Sequence, residues 1–182
     1  FEASLKAIKA VKKEPKLNRA YKALALYRGE TQIDRALALL AKDAHRHQRA
    51  FNRRAATRGL VACGERAEGS LLELVRTHKD DEVRRLAVWS ALKPLAASGD
   101  PASLELILEW ANPSESRRRG ELAEALAAFD ADDVTARMLE VMVDKKAQRD
   151  WRELILERMA EQSGRAIDIA LVELVDGKDL HL

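Results

Sequence analysis

A chain of 182 residues that is 47% hydrophobic and 34% charged is long and apolar enough to bury a core, which excludes intrinsic disorder. Aromatics at 4%, eight glycines and four prolines leave Ala and Leu to fill the apolar positions and little material for β-turns, so the chain reads as helical throughout. A single cysteine, Cys63, excludes an internal disulfide and points to a reducing, cytoplasmic setting, and no stretch approaches the ~18 apolar residues of a membrane span.

The net charge of +2 conceals an uneven distribution. Residues 1–58 carry 15 Lys/Arg against 5 Asp/Glu, a net of +10, and residues 59–182 carry 17 against 25, a net of −8. The opening Phe1-Glu2-Ala3-Ser4-Leu5 has no apolar region behind it, so it is not a signal peptide. Lacking an initiator Met, the chain is expected to be a fragment or a processed product.

Taken in order, the elements repeat. Lys9, Lys12, Lys13 and Lys16 lead into Leu17-Asn18-Arg19-Ala20, and Gly29 closes that segment. A helix over 31–42 carries Ile33, Leu37 and Leu40, and Thr31 with Asp34 resembles a capping box. Phe51-Asn52-Arg53-Arg54 opens the next helix, with Phe51 expected in the core, and Gly64 stops it. Leu71, Leu74 and Val75 mark a helix over 71–77. Glu82-Val83-Arg84-Arg85 opens another, which stops at Gly99. Asp100-Pro101 then supplies an N-cap acceptor and a proline at the first helical position, and 101–111 carries Leu104, Ile107, Leu108 and Ala111. Asn112-Pro113 ends that helix. Ser116-Arg117-Arg118-Arg119 opens a helix bearing Leu122, Ala125, Leu126 and Phe129, with Asp130 in place of the glycine stop. Val134, Met138, Val141 and Met142 mark 134–143. Asp150-Trp151-Arg152-Glu153 resembles a second capping box and starts a stripe of Trp151, Ile155 and Met159, closed by Gly164. Ile167, Ala170, Leu171 and Leu174 mark a last helix over 167–175. Spacings of three and four place each set on one helix face.

Arg19, Arg53, Arg84, Arg118 and Arg152 are separated by 34, 31, 34 and 34 residues, which makes this a repeat of helix pairs. The third copy, Asp80-Asp81-Glu82-Val83-Arg84-Arg85-Leu86-Ala87 followed by Gly99-Asp100-Pro101, resembles the HEAT-repeat pattern of acidic turn, Val-Arg and apolar-Ala closing on Gly-Asp-Pro. Tetratricopeptide repeats share the period but need a small/large aromatic pattern that this chain lacks. The resemblance implies an all-α, right-handed α-solenoid of about five HEAT-like helix pairs, one domain over 1–182, with the Arg-led helices on its concave side. It also implies that Arg84 and Arg152 pair with acidic turn residues (Asp80, Asp81 or Asp150) and staple adjacent repeats. The apolar helix at 167–175 raises the expectation that further repeats follow.

Function is read from charge. On a continuous helix, Arg46, Arg49 and Arg53 form one stripe with Arg54 and Arg58 beside it. Together with Arg85, Arg118 and Arg119, they are the candidate partner-binding residues. The alternative is a solvated face. The expected activity is non-catalytic: a scaffold that docks a protein on its concave face. A nucleic-acid backbone on the basic stripe is the alternative, and head-to-tail association of the +10 and −8 parts is a third reading. Some HEAT-like proteins are DNA glycosylases that use tryptophans and a carboxylate. Trp89, Trp110, Trp151 and Asp150 are present here without a matching motif. Other HEAT-like enzymes are bilin lyases, to which nothing in the chain points. His45 and His47, two residues apart, do not share a helix face and make a poor metal site, so no metal or cofactor is expected. Arg58 and Arg66 near Cys63 favour a lowered thiol pKa, against the plainer expectation of an inert thiol.

Overall fold

The structure, a computed structural model, describes residues 2–10, 14–27, 29–129, 132–144 and 146–161. Among them all regular structure is helical: α1 (Glu2–Ala10), α2 (Glu14–Leu24), α3 (Glu30–Arg46), α4 (Ala50–Ala62), α5 (Glu68–Thr77), α6 (Asp81–Ser98), α7 (Pro101–Trp110), α8 (Arg119–Ala127), α9 (Asp132–Val143) and α10 (Arg149–Glu161). Short 3-10 turns at Gly64–Ala67 and Ser116–Arg118 precede α5 and α8. The pairs α3–α4, α5–α6, α7–α8 and α9–α10 follow the period read from the arginines. Lys12, Lys13, Asp130, Gly164 and the helix expected over 167–175 lie outside the described residues.

The described residues fall into two compact units. One holds the residues up to Pro94 together with Glu109–Ala111, and the other holds Leu95–Leu108 and the residues from Asn112 onward.

In the first unit α4 packs on both α2 and α3, and α1 packs on α2. Leu17, Tyr21 and Leu24 of α2, Ala36, Leu40 and Ala44 of α3, and Ala55, Ala56 and Leu60 of α4 are buried at helical spacing. On α3 this departs from the expected stripe, since Ile33 and Leu37 are only half-buried. Alanines take two of the three buried positions of α3, and α4 lies close against this face. Gly59 shows how close: a Cβ built there would meet Leu40 Cδ2 at 2.5 Å and the Tyr21 Cβ and carbonyl oxygen at 3.3 Å. Phe51, expected in the core, is half-buried, with the Arg49 guanidinium 5.9 Å from its ring centroid.

In the second unit α10 packs on α8 and α9. The expected stripes bury here: Leu122, Ala125, Leu126 and Phe129; Val134, Met138 and Met142, with Val141 only half-buried; Trp151, Ile155 and Met159. Arg137 of α9 reaches Glu105 of α7 at 2.5 Å.

The helix boundaries are set by turn chemistry. Gly64 and Gly99 adopt φ of 63° and 64°, the left-handed stop expected of them. Gly29 is instead the extended N-cap of α3, so Thr31 lies inside the helix and the expected Thr31–Asp34 box does not form. Likewise α10 begins at Arg149, so Asp150 sits inside its first turn, accepts a hydrogen bond from Ser114, and forms no capping box. The Asp100 cap does form, its carboxylate accepting from Ser103 N–H at 2.8 Å and Ser103 Oγ at 2.9 Å.

One turn recurs after α3, α5, α7 and α9. His47 Nδ1 accepts the Arg49 N–H at 3.2 Å, and His78 Nδ1 accepts the Asp80 N–H at 2.9 Å. Asn112 Oδ1 accepts the Ser114 N–H at 3.1 Å, and Asp144 Oδ1 accepts the Lys146 N–H at 2.8 Å. Each is a side-chain acceptor closing on the amide two residues on, a local alternative to continuing the helix.

Gly59→Ala is expected to lower the stability of the first unit by about 1–3 kcal/mol, because the added Cβ must displace the fully buried Leu40 side chain and crowds the Tyr21 carbonyl. Urea denaturation followed by circular dichroism measures it, and an unchanged midpoint would show that α4 is free to shift.

Candidate binding surface

The arginines read as one stripe are not on one helix. α3 ends at Arg46, His47–Arg49 form the exit turn, and α4 starts at Ala50, so the three- and four-residue spacing of Arg46, Arg49 and Arg53 has no helical meaning. The turn is imposed by His47, whose extended backbone (ψ 133°) and Nδ1 acceptor stop the helix.

Most of the eight candidate arginines serve the fold. Arg53 donates to Asp80 Oδ2 at 2.7 Å and to the His47 and Gln48 carbonyls at 3.0 and 3.2 Å. Arg58 reaches Asn18 of α2 at 3.3 Å. Arg54 is half-buried, with Nε shut away from solvent. Arg85 pairs with Glu82, Arg118 with Glu121, and Arg119 of α8 with Glu157 of α10. Arg46 and Arg49 are exposed and, among the described residues, pair with no carboxylate.

The expected acidic partners of Arg84 and Arg152 are also corrected. Arg84 Nε donates to the His78 carbonyl, and its guanidinium lies 4.9 Å from the Trp110 ring centroid. Arg152 Nε donates to the Met142 carbonyl at 2.8 Å. The acidic turn residue Asp80 belongs to Arg53 instead. Burial alone raises the Asp80 carboxyl, but the hydrogen bond and charge of Arg53 overcome this and hold it below its ordinary value.

Two of the open depressions on the first unit border the exit turn of α3. The larger is a groove of about 860 Å³. Leu5 and Ile8 of α1 and Ala38 and Leu39 of α3 supply its apolar surface, and Arg35, Lys42 and Arg49 supply its cations. Lys42 is exposed and, among the described residues, makes no ion pair, whereas Arg35 pairs with Glu2 at 3.0 Å. At the groove, the Tyr21 hydroxyl donates to Asp43 Oδ2 at 2.6 Å. Burial first, and then Asp43, push this phenol above its ordinary range.

The second depression, about 770 Å³, runs between the exit turns of α3 and α5 and is lined by His45, Arg46, His47, Arg53, His78 and Asp80 among others. The His45 and His78 ring centroids are 5.9 Å apart, and His45 Nε2 lies 3.8 Å from Glu73. Among the described residues no group of three or more His, Cys, Asp and Glu side chains is arranged to hold a metal ion. His47 lines both depressions. Sequence reasoning passed over His78 and weighed His47 only as a metal ligand. The signal was present, because they are 31 residues apart, the same step that separates Arg53 from Arg84.

Burial raises the Cys63 thiol, and Arg66 only partly opposes it. Trp89, Trp110 and Trp151 are each buried, at 7%, 8% and 5% exposure, and present no open aromatic surface. No described helix is long and apolar enough to cross a membrane. Compared with known proteins, the chain matches no family model, no curated protein and no solved structure.

A double-mutant cycle with Arg53→Ala and Asp80→Ala is expected to give a coupling of about 1–3 kcal/mol at neutral pH, since each side chain is only about a fifth exposed (21% and 18%). Because the folded Asp80 carboxyl titrates below its unfolded value of 3.8, this stability is present above pH 3.8 and is lost as the pH falls through the lower, folded value. Coupling near zero at neutral pH would mean that the contacts of Arg53 to the His47 and Gln48 carbonyls carry its role alone.

Proposed function

We propose that the chain is a non-catalytic binding module of the HEAT-like α-solenoid kind, and that its first unit docks an acidic segment of a partner protein bearing apolar side chains. The observation that carries this reading is the large groove, where Leu5, Ile8 and Leu39 lie beside Lys42 and Arg49. Apolar surface supplies affinity, and a cationic rim selects an acidic partner and speeds encounter. The net charge of +10 over residues 1–58 extends that attraction beyond the groove. The recurrence of one exit turn at four helix ends supports a stacked repeat.

A nucleic-acid reading needs cations free to meet phosphates. Arg53, Arg85, Arg118 and Arg119 are already matched to carboxylates and Arg54 and Arg58 are half-buried, so of the eight candidates Arg46 and Arg49 remain exposed as a short and interrupted track.

The test is fluorescence anisotropy of a labelled amphipathic peptide rich in Glu and Leu, run beside labelled duplex DNA at two salt concentrations. The peptide is expected to bind with a shallow salt dependence. Leu39→Asp and Lys42→Glu are each expected to weaken it by about tenfold, roughly 1.4 kcal/mol, while Arg85→Ala leaves it unchanged. Circular dichroism of each variant confirms that the helices remain. Steeply salt-dependent DNA binding that exceeds peptide binding and disappears in Arg46→Ala/Arg49→Ala would overturn the protein-docking reading.

A further inference from the structure

We propose that His47 and His78 make the two exit turns of the first unit an acid-sensitive latch, and that the corresponding turns of the second unit are built without one. The four turns share one bond, from a backbone N–H to a side-chain acceptor two residues earlier. In the second unit the acceptors are the Asn112 amide oxygen, which does not titrate, and the Asp144 carboxylate, which still accepts at mildly acidic pH. In the first unit the acceptor is an imidazole nitrogen. That nitrogen accepts only while unprotonated, and imidazole is the side chain whose ordinary titration falls in the mildly acidic range.

The tautomer follows from the same bonds. With Nδ1 accepting, the proton of each neutral ring is on Nε2. His47 Nε2 lies 3.1 Å from the Asn52 side-chain nitrogen, while the buried Asn52 Oδ1 has no other partner. Two donors do not face each other, so this tautomer requires the Asn52 amide to present its oxygen to the ring. Acidification places a second proton on Nδ1, and the Arg49 and Asp80 amides then face an N–H instead of a lone pair.

The surroundings decide how readily that proton is taken. The His78 ring is packed by the His45 ring from α3, by Asp80 on its own turn, and by Arg53 from α4. Asp80 favours the cation, whereas His45 and Arg53 oppose it. Burial is the largest influence, and the net effect lowers His78 below its ordinary value of 6.5. Glu73 of α5 faces His45 at 3.8 Å. His47 shares its surroundings with Lys42 and Asp43 of α3 and with Arg49, Asn52 and Arg53 at the start of α4. Since the folded His78 disfavours the proton, its contribution is complete above 6.5 and is lost as the pH falls from there toward the folded value.

Release does not stop at the ring. The His47 and His78 carbonyls accept from Arg53 and Arg84, so an opened turn loosens the arginine that holds the next helix. His47 is also a wall of the large groove. On the docking reading above, acidification therefore changes the docking surface. The latch itself does not rest on that reading.

The test is amide hydrogen exchange by NMR on the full chain, expressed as protection factors, at about pH 7.5 and about pH 5. Protection at Arg49 and Asp80 is expected to drop by about tenfold or more on acidification, while Ser114 and Lys146 keep theirs. In His47→Asn/His78→Asn the acceptor is retained in the form Asn112 already uses, and protection is expected to persist at both pH values. Unchanged protection in the native chain at pH ~5, or an equal loss in the Asn variant, would overturn the latch. The native chain supplies an independent check: side-chain 15N shifts at pH ~7.5 should report protonated Nε2 on both rings, and protonated Nδ1 on either would refute the geometry. None of these readouts involves a partner, so failure of the peptide-binding experiment leaves them intact.

Discussion

Every α-helix ends with carbonyl groups that have no partner in the helix itself, and this fold answers them repeatedly with arginine. Arg53 donates to the His47 and Gln48 carbonyls, Arg84 to that of His78, and Arg152 to that of Met142. Arg158 does the same for the Ala127 carbonyl at the end of α8. A guanidinium suits this task because it is charged at all working pH values and offers several donors in a fixed plane. It also meets the negative end of the helix dipole. In each case the arginine lies on a following helix, so one bond both completes a helix end and sets the direction of a later helix.

That constraint governs the surface as well. A sequence with 15 basic residues in its first 58 suggests a broad cationic face. The fold draws part of that charge inward. Arg53 sits between two carbonyls and Asp80, and Arg54 is half-buried. Lys42, Arg46 and Arg49, three of the exposed cations, gather near the exit turn of α3, beside apolar side chains of α1 and α3. A mixed apolar and cationic groove suits a different class of partner from a stripe of arginines, and the proposed ligand is accordingly an acidic protein segment.

The exit turns tie the two features together. His47 is a helix stop, a carbonyl acceptor for Arg53 and a wall of the groove at once. His78 repeats the first two roles one repeat later. The second unit reaches the same turn geometry with Asn112 and Asp144, so the backbone requirement is for an acceptor of short reach and not for imidazole. Chemistry at these positions is therefore free to differ where geometry is not.

The sequence by itself determined that the chain is helical, where its helix pairs recur, and which faces of α5, α8, α9 and α10 are buried, because periodicity and the repeated arginine are local signals. Gly64, Gly99 and Asp100 were legible for the same reason, since each acts within a few residues of its own position. Tertiary structure decided the rest. The buried face of α3 shifts to Ala36, Leu40 and Ala44 because of the close approach of α4, which no spacing on α3 encodes. Asp80 pairs with Arg53, 27 residues away, and not with the neighbouring Arg84, because the helix ends bring those groups together. The stripe of Arg46, Arg49 and Arg53 failed as a prediction because spacing has angular meaning only on an unbroken helix, and His47 breaks it.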